Sequence, residues 1–171
     1  MENCHIVTEK VLCFLVKDNK ILLSKKITGG MIENRYNGYS GSVLSGETPR
    51  SAAVRKIKEQ GGVHARESDL DKRAIVDFYY PHAGHDNRRV FVFFVKEWMG
   101  DPKETDARTE PEEFDFNDIP YDYMAVSVDK EWLPQVLKGK KLKAEFVFNK
   151  DVDVVEKRMD IIKEFDNTAY A

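Results

Sequence analysis

Residues 41–63, GSVLSGETPRSAAVRKIKEQGGV, decide the fold, because they join a glycine-flanked loop to a helix whose two ends are both marked. Thr48 carries the hydroxyl of a good N-cap, and Pro49 suits the first helical position. Gly61 and Gly62 supply the stop at the other end. Between them Ala53, Val54 and Ile57 recur at helical spacing, which predicts one buried face. Just upstream, Gly38 and Gly41 leave room for a close approach of backbone to a partner. The segment reads as loop, helix, loop.

Working outward, the mostly apolar run 11–16 predicts a strand and 21–24 its partner, with Lys17, Asp18, Asn19 and Lys20 as the hairpin turn. Residues 27–37 fit neither period and read as a polar loop; 38–44 is short and rich in small residues. Beyond the helix, 73–80 and 89–96 predict strands joined by a loop through Pro81, His82, Gly84 and His85. The acidic, polar stretch 100–111 reads as a surface loop, and 113–116 as a short strand before a turn at Asp118-Ile119-Pro120. Asp129 is the expected cap of a second helix running to about Lys138, with Trp132, Val136 and Leu137 inward. Residues 142–148 alternate as a strand does; 153–165 suits a helix through Val155, Met159 and Ile162, or a strand at its start. Strands before and after an internal helix, with another helix late, predict a mixed α/β sandwich.

A chain of 171 residues suffices for one domain with a real core, expected over 1–166 with 167–171 as a loose tail. The net charge of -3 argues against nucleic acid and anionic membranes as partners. No apolar run is long enough to span a bilayer, and residues 1–10 lack the pattern of a secretory leader. Two cysteines, Cys4 and Cys13, match no zinc spacing and suit a reducing compartment. The expectation is a cytoplasmic monomer acting on a small molecule.

The order Gly41, Glu47, Arg55, Ile57, Glu59, Gly62, Val63 resembles the Nudix box, G-x5-E-x7-R-E-U-x-E-E-x-G-U, where U is a bulky aliphatic residue. Two positions depart from it: Lys56 and Gln60 stand where the family has glutamates. Over roughly residues 10–160 the chain is also similar to the MutT-like branch that hydrolyses oxidised purine nucleoside triphosphates. There the run Arg35-Tyr36-Asn37-Gly38-Tyr39-Ser40-Gly41 looks like that branch's R-W-N-G-F-G-G. The resemblance implies a Nudix α/β/α sandwich with a mixed β-sheet, and a pyrophosphohydrolase using Mg²⁺ or Mn²⁺. It implies catalytic roles at Arg55, Glu59 and Glu47, with Lys56 and Gln60 as the altered positions. Base-reading roles fall on Asn37 and Asp129, with Met31, Val126 and Val128 as further pocket positions. Val128 replaces an aspartate of the branch, Val126 a tryptophan, and Arg108 occupies the place of a further acidic ligand.

The physics of the box is simple. Positions 56, 59 and 60 share a helical face, and three carboxylates there make an oxygen-rich site for a hard cation. Lys56, Glu59 and Gln60 sum to zero charge where the pattern has minus three. A unit charge pair at about 4 Å is worth about 4 kcal/mol at an effective dielectric near 20, and a divalent ion feels twice that. Glu59 and Gly41 are what remains of a metal site, and a weak one is expected. Lys56 itself reads as a salt-bridged lysine, a phosphate-binding lysine, or a desolvated nucleophile. His82 and His85 read as surface residues, and Phe91, Phe93 and Phe94 as core strand. Differences gathered at pocket positions fit both natural drift and deliberate redesign. The expected function is a purine-nucleotide pocket with hydrolysis lost or weak; an active Mg²⁺-dependent pyrophosphatase, or new chemistry at Lys56, are the alternatives.

Overall fold

A computed structural model describes residues 5–27 and 30–166. Cys4 and the tail expected at 167–171 lie outside the described residues, as does the side chain of Met31. Nine strands form one mixed sheet: β1 (Thr8–Lys17), β2 (Lys20–Lys25), β3 (Tyr36–Asn37), β4 (Tyr39–Ser42), β5 (Leu70–Tyr79), β6 (Arg88–Val95), β7 (Glu112–Asp115), β8 (Lys141–Phe148) and β9 (Val154–Ile162). The main order is β3-β2-β1-β6-β5-β8-β9, with β4 paired to β1 and β7 to β2. The pairs β1/β6 and β5/β8 are parallel and the rest antiparallel.

Two helices cover opposite faces, α1 (Pro49–Gly61) and α2 (Asp129–Leu137). Strand β1 shows why its sequence reads as unbroken apolar residues: it is buried on both sides. Val11, Cys13 and Leu15 face α1 with Ala52, Ala53 and Ile57. Leu12, Phe14 and Val16 face α2 with Trp132, Leu133 and Val136. The α/β/α sandwich read from the sequence is the one observed. Phe91, Phe93 and Phe94 are buried in β6, and His82 and His85 are exposed.

Some local expectations change. Residues 153–165 contain a strand: β9 pairs with β8, setting Met159 opposite Ala144, and Met159 packs on the α2-side core. The 27–37 loop contains a 3-10 turn at Gly30–Ile32 and the short strand β3. Helix α1 buries Ala52, while Val54 is half-buried. In α2, Val128 holds the N-cap position with helical φ/ψ and no side-chain cap, so Asp129 is the first helical residue rather than its cap. Leu133 is fully buried there and Leu137 only partly. Among the described residues no helix is long and apolar enough to cross a membrane.

Helix α1 is held at both ends. The Thr48 hydroxyl accepts from the Ser51 amide at 3.1 Å, and the Ser51 hydroxyl accepts from the Thr48 amide at 3.0 Å. At the C-terminus Gly62 adopts φ +69°, and its N–H donates to Lys58 O. A Cβ on Gly61 would fall 2.5 Å from the Tyr39 ring, so helix and β4 meet only because that position is glycine. The Thr48→Ala substitution removes one side of the reciprocal cap and is expected to destabilise the fold by about 1 kcal/mol. Urea denaturation measures it, and an unchanged midpoint would show that the cap carries no weight.

Candidate functional site

The loop before α1 is pinned by one ion pair. Arg55 Nε donates to Glu47 Oε1 at 2.6 Å, and Nη2 donates to Glu47 Oε2 at 2.8 Å and to Ser42 O at 3.0 Å. Glu47 Oε2 also accepts from the Leu44 amide at 2.9 Å. This fork-to-fork pairing ties helix to loop. The Arg55 guanidinium holds the Glu47 carboxyl down at about 2. Glu47 is thereby occupied by protein donors.

Positions 56, 59 and 60 are engaged in the same manner. The Lys56 stem lies across Gly41, where a Cβ would meet Lys56 Cε at 2.2 Å. Its ammonium donates to Glu59 Oε2 at 2.9 Å, and Arg55 Nη1 reaches Glu59 Oε1 at 3.4 Å. Lys56 first, then Arg55, keeps the half-exposed Glu59 carboxyl below its ordinary range. Gln60 turns inward and clamps one residue of β4: Ser40 N donates to Gln60 Oε1 at 3.0 Å, and Gln60 Nε2 donates to Ser40 O at 2.8 Å. Glu59 is thus paired with two cations on the exposed face of α1, and the Lys56 stem lies over Gly41.

Arg108 completes this side, and it corrects the reading of 100–111 as surface loop throughout. It is 3% exposed. Nη2 donates to Gly38 O at 2.8 Å, Gln60 Oε1 at 3.2 Å and Ser40 Oγ at 3.3 Å, while Nη1 reaches Ser24 O at 3.4 Å. Among the described residues it has no carboxylate partner, and burial makes its charged form less favourable than usual. No group of three or more His, Cys, Asp or Glu side chains that could hold a metal ion exists among the described residues. The donor set at the box, with an ammonium, a clamped amide and a buried guanidinium, does not fit a divalent cation.

Between the sheet and α2 lies a cavity of about 170 Å³. Asn37, Val126 and Asp129 line it together with Trp132, Ser40 and Ile32. Val128 does not: it is 3% exposed and packs in the core beneath α2, because its N-cap position turns it inward. Asn37 spends its Oδ1 on the Gly38 amide at 2.9 Å. Asp129, 1% exposed, accepts from Trp132 Nε1 at 3.2 Å through Oδ1, and its Oδ2 has no partner among the described residues. Burial pushes its carboxyl up to about 7, against a small downward pull from Trp132.

Sequence reasoning missed two residues of the cavity wall, Lys10 and Arg88. Both precede the strands read at 11–16 and 89–96 by one residue, and only the longer β1 and β6 turn them onto the α2 face. A larger groove of about 510 Å³ lies elsewhere, beside Lys17, Arg73 and Lys96, and holds no residue of the box.

The NUDIX domain matches residues 8–136 of the chain. An oxidized purine nucleoside triphosphate hydrolase of Danio rerio is 28% identical over 153 residues, covering 90% of this chain and 94% of that protein. Its namesake from Mus musculus is 27% identical over 144 residues, covering 84% and 88%. A MutT protein of Bacillus halodurans superposes with TM-score 0.72 at 17% identity, over 90% of this chain and 97% of that one. A NUDIX hydrolase of Nitrosomonas europaea gives TM-score 0.66 at 19% identity, over 85% and 81%. These two solved structures share the fold.

The buried Asp129 makes stability depend on pH in a definite sense. The folded chain keeps a proton that the unfolded chain releases between about pH 4 and pH 7, so stability falls as pH rises through that window. The ceiling on the effect is about 4 kcal/mol. Asp129→Asn retains the acceptor for Trp132 and cannot ionise. Its melting temperature is expected to match the parent near pH 4 and exceed it near pH 8; equal pH profiles would contradict a buried, proton-holding Asp129.

Proposed function

The chain belongs to the NUDIX family, and from that premise we propose that it binds a purine-like nucleotide in the cavity between the sheet and α2, with pyrophosphate-bond hydrolysis lost or weak. The observation that carries the reading is the state of the box. Lys56 is tied to Glu59 and Gln60 to Ser40, at positions where metal-binding carboxylates would serve a hydrolase. NUDIX hydrolases generally use divalent metals, which neutralise the diphosphate and activate water. Nothing in this donor set does the second task.

The ligand class follows from the other side of the cleft. The names of the Danio rerio and Mus musculus relatives point to purine nucleoside triphosphates. The cavity supports an aromatic base in its own right, with Trp132 and Phe78 on its walls and the polar Asn37 and Asp129 between. The alternative, an active metal-dependent pyrophosphatase, draws on Glu47, Arg55 and Glu59 being present together. Imine chemistry at Lys56 is disfavoured by its ion pair, because that reaction needs a free amine.

Pyrophosphate release from normal and oxidised purine dNTPs, with Mg²⁺ or Mn²⁺, is the test. The expected result is no metal-dependent release above background; robust turnover by the unaltered protein would overturn the reading. Restoring the glutamates has a specific expected pattern. In Lys56→Glu with Gln60→Glu, the new carboxylate at 60 would lie beside the Arg108 guanidinium, now 3.2 Å from Gln60 Oε1, and would pair with it. Activity is expected to rise by about tenfold or more only when Arg108→Glu is added, since one charge reversal beside the ion outweighs one ligand gained.

A further inference from the structure

The even-numbered side chains at the start of β1 and their neighbours on β6 share the α2 face of the sheet. Thr8 pairs with Arg88 and Lys10 with Val90, which sets Lys10 and Arg88 diagonally on that face. Both line the 170 Å³ cavity. Lys26, just past β2, is bridged through backbone to Arg108 and lies close enough to Lys10 to repel it. Burial, then Arg88, then Lys26 disfavours the charged form of Lys10.

None of the three has an ion-pair partner among the described residues. Arg88 instead donates to the Tyr80 hydroxyl at 2.9 Å and lies 5.5 Å from the ring centres of Phe78 and Tyr80. Two cations without an ion-pair partner, Lys10 and Arg88, thus line one cavity, with Lys26 near Lys10, in a chain whose net charge is -3. Such an arrangement opposes folding by self-repulsion and favours an anion from solution. Among the described residues lining the cavity, Asp129 is the only acid. The cavity wall thus joins two cations to the polar side chains of Asn37 and Asp129.

We infer that Lys10, Arg88 and Lys26 bind the phosphate groups of the cavity's ligand directly, so that recognition of a nucleotide here needs no divalent cation. The inference rests on the nucleotide reading above and adds how the anion is held. It has a consequence of opposite sign to that expected of a metal-bridged site. A Mg²⁺–phosphate complex carries less negative charge than the free anion, so Mg²⁺ weakens binding to fixed cations.

Calorimetric titration with inorganic pyrophosphate and with guanosine, each in EDTA and in Mg²⁺, tests this. Pyrophosphate is expected to bind in EDTA, more weakly in Mg²⁺, and more weakly as salt rises. Lys10→Met and Arg88→Met, which keep the apolar stems, are each expected to weaken pyrophosphate about tenfold, the loss typical of one charge-assisted hydrogen bond. Melting curves identify any variant that fails to fold, and Lys26→Gln then serves in its place. Pyrophosphate binding that requires Mg²⁺, or that ignores folded charge variants, overturns the inference. Guanosine binding without pyrophosphate binding also overturns it and leaves the base pocket standing. Pyrophosphate binding in EDTA without guanosine binding supports the anion site and removes the nucleotide reading. Binding of neither removes both.

Discussion

Arg108 reaches from the acidic loop into the space between β2, β4 and α1, and the geometry of the cleft follows from how its charge is accommodated. An arginine 3% exposed with no carboxylate beside it carries a large desolvation cost. Here the compensation comes from dipoles: Ser24 O, Gly38 O, Ser40 Oγ and Gln60 Oε1 all accept from it. Because Gln60 also holds both backbone groups of Ser40, the guanidinium fixes β4 against α1. Ser40 lines the cavity, so this contact sets one of its walls. The identity of residue 60 therefore depends on residue 108. A glutamate at 60 beside an acid at 108 makes a cation site, and a glutamine beside an arginine makes a closed hydrogen-bond network with no place for one.

The parts of this arrangement visible in the sequence are those written in local patterns. Thr48, Pro49, Gly61 and Gly62 mark α1 because caps act over three or four residues. The two-sided burial of β1 shows as an apolar run, and the Gly41-to-Val63 spacing names the family before any contact is known. What escaped depends on contacts distant in sequence. Strand β9 could be placed only through its register on β8, since its own residues are largely exposed and serve either period. The acidic neighbours of Arg108 suggested solvent, and only a contact 70 residues away, with Gly38, reveals its burial. Val128 was assigned to the pocket by alignment with a ligand position, yet the helical backbone there turns it into the core. Lys10 and Arg88 were passed over because each lies one residue before the strands read at 11–16 and 89–96, whereas β1 and β6 begin early enough to include them.

The substitutions in the box and the cations at the cavity have one electrostatic logic. A bound metal serves a pyrophosphohydrolase in two ways, by neutralising phosphate charge and by lowering the pKa of the attacking water. Lysine and arginine supply the first and not the second: they offer fixed positive charge and hydrogen-bond donors, and no coordination site on which water becomes hydroxide. A cavity lined by Lys10 and Arg88, with Lys26 near Lys10, offers fixed positive charge of the kind the proposed anionic ligand needs. Under the proposed function it lacks what is needed to cleave one. Glu47 and Glu59 do not restore the missing part, because Arg55 and Lys56 hold both as ion-paired carboxylates. Retention of the box arginine and two of its glutamates fits a structural role for them, pinning the loop before α1 through the Arg55–Glu47 pair.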